Sequence, residues 1–265
     1  MDSDSLERAA TMLREARLGH RPMRPLPAAL RPADEPEAYR LQAVLNRQLS
    51  ELGAGGLAGH KIGCTTPVMQ AFLDIPNPCA GEIFESTVHL GHGRLRTADY
   101  LRAGVECEIA VRLGRDLAQP PARGFDRASV APAVAACTAA MEIVDDRYAD
   151  YRTLGTPTLI ADDFFNAGCV LGDSVAAWSG LDLTALRGRM TINGAVVGEG
   201  RGGDILGHPF DALAWLAGNL VDRGTPLRAG SFVMLGSVVA TRWVSAGDEV
   251  EIEVDGLGRA TASFS

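Results

Sequence analysis

One short segment, Val-Glu-Cys-Glu-Ile-Ala-Val at positions 105–111, strongly constrains how this chain can fold. In a β-strand the side chains alternate between two faces, so Glu106 and Glu108 share one face and Cys107 lies on the other, apolar face. A sheet with one solvent-exposed face gives the same alternation. The alternative is that a hard divalent cation lies between the two carboxylates and offsets their repulsion.

A third carboxylate favours the metal alternative. Glu142 follows a long apolar segment, where a carboxylate is costly unless it is paired, hydrogen-bonded or bound to a metal. A simpler interpretation is a glutamate at a helix end that bonds a nearby arginine such as Arg147. Three glutamates with no histidine among them form an all-oxygen ligand set, which is typical of Mg²⁺ or Mn²⁺.

Composition excludes several classes of protein. The 265-residue chain has 46% hydrophobic and 22% charged residues, as ordinary globular proteins do. Its formal net charge of −8 argues against nucleic acid as a partner. Five scattered cysteines without a C-x-x-C pair argue against a zinc motif and a disulfide framework. We expect a cytoplasmic protein without membrane contact, because neither a signal peptide nor a membrane-spanning segment is recognisable.

The first part of the chain is predicted to be helical. Apolar residues at helical spacing indicate one helix over residues 4–18 and a second from Pro36 to about residue 52, capped by Asp34. A proline-rich connector separates them. We therefore divide the chain into an N-terminal helical segment, 1–57, and a main domain, 58–265.

Short strands and turns dominate the second part. Asn193-Gly194 is a strong hairpin signal, and a helix is predicted from Pro209 to Gly224. Residues 129–144 form a long apolar segment, expected to be helical at first and extended by its end. No alternating βαβ pattern is present, so an α+β fold with antiparallel or mixed strands is favoured.

Several motifs occur in an order that resembles a known family. They are GHKIGCTTPVMQAFL, VECEIAVRLGRDL, MEIVDDRY, LIAD, LGHPFDALAWLA, GSVVAT and AGDEVEIEVDGLGRATASF. Over nearly its whole length the chain resembles the 2-keto-4-pentenoate hydratase and 4-oxalocrotonate decarboxylase family of the fumarylacetoacetate hydrolase superfamily. The resemblance implies an N-terminal helical segment followed by a mostly β, fumarylacetoacetate-hydrolase-like body.

The resemblance also implies roles for individual residues. The implied metal ligands, for Mg²⁺ or Mn²⁺, are Glu106, Glu108 and Glu142. The implied catalytic residues are Lys61, Asp162 and Asp163, and the implied substrate-binding residues are Cys79, Phe165 and Ser237.

Two segments depart from the family pattern. Cys79 stands where the family commonly has an aspartate, Asp163 replaces an asparagine and Phe165 takes the position of a serine. We predict a drier and differently shaped substrate pocket from the two adjacent phenylalanines.

The activity implied by the resemblance is metal-dependent hydration of a 2-hydroxy-2,4-dienoate to a 4-hydroxy-2-oxo acid, in the catabolism of aromatic compounds. Two other reactions stay open, decarboxylation of a vinylogous 2-oxo diacid and C–C hydrolysis of an acylpyruvate. A catalytically silent metal-binding subunit that supports a partner enzyme is an alternative of another class. The expected partners are a small 2-oxo or 2-hydroxydienoic acid and further copies of the chain in a homo-oligomer.

Overall fold

The computed structural model describes residues 1–265, apart from the side chains of Val68 and Phe72. Its helices are α1 (Ser3–Leu18), α2 (Glu35–Leu49), α3 (Pro67–Leu73), α4 (Arg127–Val130), α5 (Thr156–Ala161) and α6 (Pro209–Asp222). The strands before residue 120 are β1 (Leu57–Gly63), β2 (Cys79–Phe84), β3 (Val88–Leu90), β4 (His92–Leu95) and β5 (Ala103–Leu113). The later strands are β6 (Val134–Asp145), β7 (Asn166–Leu171), β8 (Arg187–Ile192), β9 (Ala195–Arg201), β10 (Phe232–Trp243), β11 (Glu249–Val254) and β12 (Gly258–Phe264).

The two N-terminal helices form where the sequence predicts them. The Asp2 carboxylate accepts a hydrogen bond from the backbone N–H of Ser5 at the start of α1, and Asp34 caps α2 in the same way. Their buried apolar sides belong to one continuous core with the sheets. The division of the chain at residue 57 stays a prediction. Among the described residues, no helix is long and apolar enough to cross a membrane.

The strands form two mixed sheets. The larger sheet has the order β2-β1-β10-β5-β6-β7-β3, and the smaller has the order β4-β12-β11-β8-β9. Three neighbouring pairs are parallel, β1–β10, β3–β7 and β4–β12, and the others are antiparallel. The predicted hairpin joins β8 to β9, with Asn193 at φ 52° and Gly194 at φ 78° as a type I′ turn requires. The predicted α+β class is confirmed.

Strand β5 is buried on both faces, so the interpretation of a solvent-exposed glutamate face is wrong. Val105, Cys107 and Ile109 are fully buried in the main core on the face toward the smaller sheet. Cys107 is thus a core cysteine, as its position in the alternation predicts. Glu106 and Glu108 lie on the opposite face of the strand.

That opposite face is concave, because the larger sheet curls. On a flat sheet β2 and β7 would lie five strand spacings apart, about 24 Å. Instead β2 and β7 contact each other, and the Nζ atom of Lys61 on β1 lies 3.2 Å from the Oε1 atom of Glu142 on β6. A small apolar cluster lies within the curl and comprises Ile83, Ala110, Ala140, Cys169, Leu171, Phe232 and Met234. The curl therefore places charged residues from distant strands beside one another.

The apolar segment 129–144 is mostly strand. Helix α4 ends at Val130, and β6 begins at Val134, so the early helix is shorter than expected. Glu142 lies within β6, and Arg147 bonds Asp162 instead, which makes the helix-end interpretation of Glu142 wrong. A strand that is covered on both faces has a continuous apolar sequence, and so does a buried helix. The spacing of apolar residues therefore cannot distinguish the two.

Candidate metal centre

Strand register brings the three glutamates together. Glu106 and Glu142 are directly opposite partners on the antiparallel strands β5 and β6, and Glu108 is two residues along the same face of β5. One carboxylate oxygen of each lies within 4.8 Å of the others. Paired strands place opposite side chains close together on one face, so this cluster follows directly from the register.

The carboxylate of Glu142 is held by one oxygen. Its Oε1 atom accepts a hydrogen bond of 2.9 Å from the Nδ2 atom of Asn166 and contacts the Nζ atom of Lys61. Its Oε2 atom is buried and has no hydrogen-bond partner among the described residues. The backbone oxygen of Asn166 accepts a 2.9 Å bond from Arg147, which fixes Asn166 in turn. Asn166 and Lys61 therefore determine which oxygen of Glu142 stays free.

The other two glutamates each accept a hydrogen bond at one oxygen. The backbone N–H of Gly236 donates to Oε2 of Glu108 at 3.0 Å, whereas Oε1 is buried without a partner among the described residues. Gly236 has φ 121°, and a Cβ atom there would lie 2.4 Å from Oγ1 of Thr65, so the close approach requires glycine. The Thr241 hydroxyl donates to Oε1 of Glu106.

The electrostatics of the cluster fit a divalent cation. When all three carboxylates are ionised, they and the Lys61 ammonium sum to two negative charges, −3 plus +1, which one divalent ion would neutralise. Burial and the neighbouring Glu142 raise the pKa of Glu106 to about 7, and burial raises the pKa of Glu108 well above its usual range. Buried carboxylate oxygens without partners are costly, and oxygen ligands are those that Mg²⁺ and Mn²⁺ prefer. The residues present therefore fit a hard divalent ion.

Lys61 lies beside the cluster. Burial opposes its charge, but the three glutamates outweigh that effect and raise the pKa of Lys61. Its Nζ atom also donates to the backbone oxygen of Phe164 at 3.1 Å. An ammonium group has three N–H donors, so these two contacts leave one donor for a further acceptor.

Asp162 and Asp163 are held in buried ion pairs. Oδ2 of Asp162 accepts bonds from Arg147 at 2.5 Å and from the Tyr148 hydroxyl at 2.9 Å. Its Oδ1 is buried, lies 3.9 Å from the Arg17 guanidinium and has no hydrogen-bond partner within the described structure. Both oxygens of Asp163 are occupied, Oδ1 by Asn46 and the backbone N–H of Glu82, and Oδ2 by Arg17 of α1. These contacts give both residues a structural role, and their catalytic role stays a prediction.

The three residues predicted to bind substrate lie on different elements. Cys79, at the start of β2, is fully buried with its Sγ atom 3.9 Å from that of Cys64. Phe165 packs edge-to-face against Tyr148, with ring centroids 4.7 Å apart. Ser237 is the register partner of Glu108 on β10, and its hydroxyl donates to the backbone oxygen of Val239 at 2.5 Å. Their binding role stays a prediction.

Sequence reasoning missed the residues that orient the glutamates. Thr241 ends the Gly-Ser-Val-Val-Ala-Thr motif and Asn166 lies four residues after Leu-Ile-Ala-Asp, but nothing in their spacing shows that they contact Glu106 and Glu142. The glycine of Gly-Ser-Val-Val-Ala-Thr was the only available signal for Gly236, since a conformation with positive φ favours glycine. These contacts depend on the curl of the sheet.

The fold and the cluster of glutamates define a family. Residues 81–265 match the family described as fumarylacetoacetate (FAA) hydrolase C-terminal, which is more than half of the chain. The chain belongs to this family.

Relatives that match nearly the whole chain identify its branch of the family. The chain is 35% identical over 264 residues to a 2-keto-4-pentenoate hydratase of Paraburkholderia phymatum, covering 100% of this chain and 99% of that protein. It is 29% identical to a 4-oxalocrotonate decarboxylase of Pseudomonas putida, covering 86% and 84% of the two chains. The solved structure of 4-oxalocrotonate decarboxylase from Pseudomonas putida G7, complexed with magnesium and adipate, matches with a TM-score of 0.93 at 25% identity, covering 100% and 99%. The chain is therefore a member of the 2-keto-4-pentenoate hydratase and 4-oxalocrotonate decarboxylase branch.

Proposed function

We propose that the protein is a metal-dependent hydro-lyase that adds water to a 2-hydroxy-2,4-dienoate to give a 4-hydroxy-2-oxo acid. The observation that carries the proposal is the glutamate cluster, in which Glu108 and Glu142 each keep one buried oxygen without a hydrogen-bond partner in the described structure. Relatives that are named 2-keto-4-pentenoate hydratase and match the full chain support hydration as the reaction. The setting would be the catabolism of aromatic compounds.

Glu106, Glu108 and Glu142 would hold the ion. Mg²⁺ is supported by the magnesium named for the decarboxylase structure of similar fold, and Mn²⁺ by the all-oxygen donor set. A divalent ion bound there would supply Lewis-acid stabilisation of negative charge on the 2-oxygen of the substrate.

Lys61 has the contacts that a charge-stabilising residue needs. Contacts to Glu142 and to the Phe164 carbonyl fix the direction of its side chain, which leaves one N–H donor for the substrate carboxylate or 2-oxygen. The raised pKa of Lys61 keeps the group protonated at neutral pH, so it acts as a fixed positive charge near the developing enolate.

Asp162 and Asp163 differ in whether a carboxylate oxygen is available to orient water. Oδ1 of Asp162 has no hydrogen bond among the described residues, although the Arg17 guanidinium lies 3.9 Å from it, whereas both oxygens of Asp163 accept hydrogen bonds. We therefore propose Asp162 as the water-orienting group and assign Asp163 a part in holding α1 against the site. Cys79, Phe165 and Ser237 are proposed as pocket residues on the basis of the family resemblance.

Decarboxylation of a vinylogous 2-oxo diacid is the second candidate, because the decarboxylase structure has a TM-score of 0.93 to this chain. The same enolate would form on loss of CO₂. The test is a substrate panel with product identification on the purified chain with added Mg²⁺, comprising 2-hydroxypenta-2,4-dienoate, 4-oxalocrotonate and an acylpyruvate. We expect hydration of the dienoate. Product only from the diacid would replace hydratase by decarboxylase, and no product from any substrate would favour the silent subunit.

A matched pair of variants excludes a contaminating enzyme. Glu142→Ala removes one member of the cluster, whereas Glu199→Ala removes an exposed glutamate on β9 that pairs with Arg187. We expect the first variant to lose most activity while staying folded, and the second to keep it. Equal activity in both would contradict the proposed site.

We also propose a cytoplasmic homo-oligomer. Large apolar side chains remain exposed on the single chain, including Leu57, Leu90, Val196 and Trp243. Such residues would gain cover in an assembly. Light scattering at micromolar concentration tests the assembly, and a monomeric mass would contradict it.

A further inference from the structure

Two cysteines lie against each other beside the candidate metal centre. Gly63, the last residue of β1, is the register partner of Cys79 on β2. The next residue, Cys64, has φ 57°, a left-handed conformation that is uncommon for a residue with a side chain. The Sγ atoms of Cys64 and Cys79 are 3.9 Å apart, and no other pair of cysteine sulfurs in the described part of the chain shares a hydrogen bond.

We propose that Cys64 and Cys79 form an oxidisable dithiol, which a peroxide converts to a disulfide that slows turnover at the neighbouring metal centre. The proposal is one of covalent modification. Its effect on turnover rests on the proposed hydratase function, but the formation of the bond does not.

The geometry favours a bond between these two residues. The S–S distance must shorten by about 1.9 Å to reach the bond length of about 2.05 Å, which a side-chain rotation combined with a small shift of the Cys64 backbone would supply. Cys64 directly follows Gly63, the register partner of Cys79, so the two cysteines are diagonal neighbours at the end of the β1–β2 pair. Cys64 is 6% exposed and Cys79 is fully buried, so Cys64 is the thiol that a small oxidant reaches first.

The local charges support Cys64 as the attacking thiol. The Cys79 S–H donates to the Cys64 sulfur, and this hydrogen bond lowers the pKa of Cys64, with the Lys61 charge acting in the same direction. The same bond raises the pKa of Cys79. The thiolate is the nucleophilic form of cysteine, so the two residues take different parts.

The reaction has two displacement steps. The Cys64 thiolate attacks one oxygen of hydrogen peroxide, the O–O bond breaks, and the departing hydroxide takes up a proton to become water. The sulfur of Cys79, which loses its proton, then attacks the sulfenic sulfur of Cys64, and the S–O bond breaks to release a second water. Two thiols are oxidised to one disulfide, and the peroxide is reduced to two water molecules.

The bond would disturb the metal centre through the backbone. Cys64 lies three residues after Lys61, and its neighbour Thr65 packs against Gly236, whose N–H holds Glu108. Drawing Cys64 toward β2 shifts this segment. Because a misplacement of about 1 Å can cost on the order of 100-fold in rate, we expect turnover to fall by at least about tenfold.

The experiment treats the metal-loaded protein with hydrogen peroxide, blocks the remaining thiols and maps the peptides by mass spectrometry. We expect a Cys64–Cys79 disulfide, three alkylated cysteines (five minus two) and recovery of activity with dithiothreitol. Cys64→Ser should resist both the cross-link and the loss of activity, each compared with its own untreated sample. Cys137→Ser, a buried cysteine elsewhere, should stay sensitive.

The outcomes separate the two parts of the proposal. Five alkylated cysteines after treatment, or a disulfide between other residues, would overturn the dithiol. A complete Cys64–Cys79 bond with unchanged turnover would overturn its effect on the metal centre. If the untreated chain has no activity, the proposed function fails, while peptide mapping still decides whether the disulfide forms.

Discussion

Asn166 offers the sharpest test of how the candidate centre works, because it touches a predicted ligand without being one. Asn166→Ala removes the 2.9 Å hydrogen bond to Oε1 of Glu142 and leaves Lys61 as the remaining partner of that oxygen. A hydrogen bond to a charged group contributes roughly 1.5–3 kcal/mol. Loss of a residue that orients a ligand typically weakens metal binding by about 10–100-fold, which corresponds to roughly 1.4–2.7 kcal/mol. The two estimates agree.

The assay is Mn²⁺ titration of the metal-free protein, followed by electron paramagnetic resonance of the free ion, so that binding is measured without turnover. Asn77→Ala is the matched control, because the Asn77 side chain bonds Glu35 and the backbone of Pro78 outside the cluster. Circular dichroism establishes that both variants are folded. A dissociation constant for folded Asn166→Ala within twofold of the control would refute the orienting role of Asn166.

Three further outcomes are expected. Chelation should abolish turnover, and Mg²⁺ or Mn²⁺ should restore it, whereas full activity after exhaustive dialysis against chelator would contradict a metal-dependent reaction. Because the pKa values of Glu106 and Glu108 are raised, the carboxyl groups hold protons at low pH, so Mn²⁺ affinity measured by calorimetry should increase as pH rises through about 7 and decrease below it. Asp163→Asn should lower the free energy of unfolding by roughly 1.5–3 kcal/mol in a denaturant titration, because Arg17 loses the nearer of its two buried carboxylate partners; an unchanged midpoint would contradict that ion pair.

Local sequence signals were sufficient for the elements that their own residues determine. Asp34 and Pro36 indicate the start of α2, and Asn193-Gly194 indicates the β8–β9 hairpin, because capping and turn conformations depend on a few adjacent residues. The alternation around Cys107 also predicts correctly which side chains enter the core. The glutamates could be grouped because Glu106 and Glu108 lie two residues apart on a strand.

Contacts between residues that are far apart in the chain could not be predicted from the sequence. The sequence predicts segment 129–144 to be partly helical, whereas most of it forms strand β6. An apolar segment that is covered on both faces shows neither helical nor strand periodicity. The partners of Asp162 and Asp163 come from Arg147, Arg17 and Asn46, which are separated from them by 15 to 146 residues. No local pattern reports such pairings, and the catalytic role expected of the two aspartates came from the family resemblance.

The contacts of Arg17 link the first helix thermodynamically to the candidate metal centre. Arg17 pairs with Asp163 and also donates to the backbone oxygen of Asn166, whose side chain holds Glu142. Coupling between two sites is reciprocal, so an ion that favours this arrangement of Asn166 must also favour the docked position of α1. Metal binding should therefore slow proteolytic cleavage in the connector between α1 and α2. Arg17→Ala should weaken metal binding, and the free energy lost from metal binding should equal the free energy lost from the metal-dependent protection against cleavage.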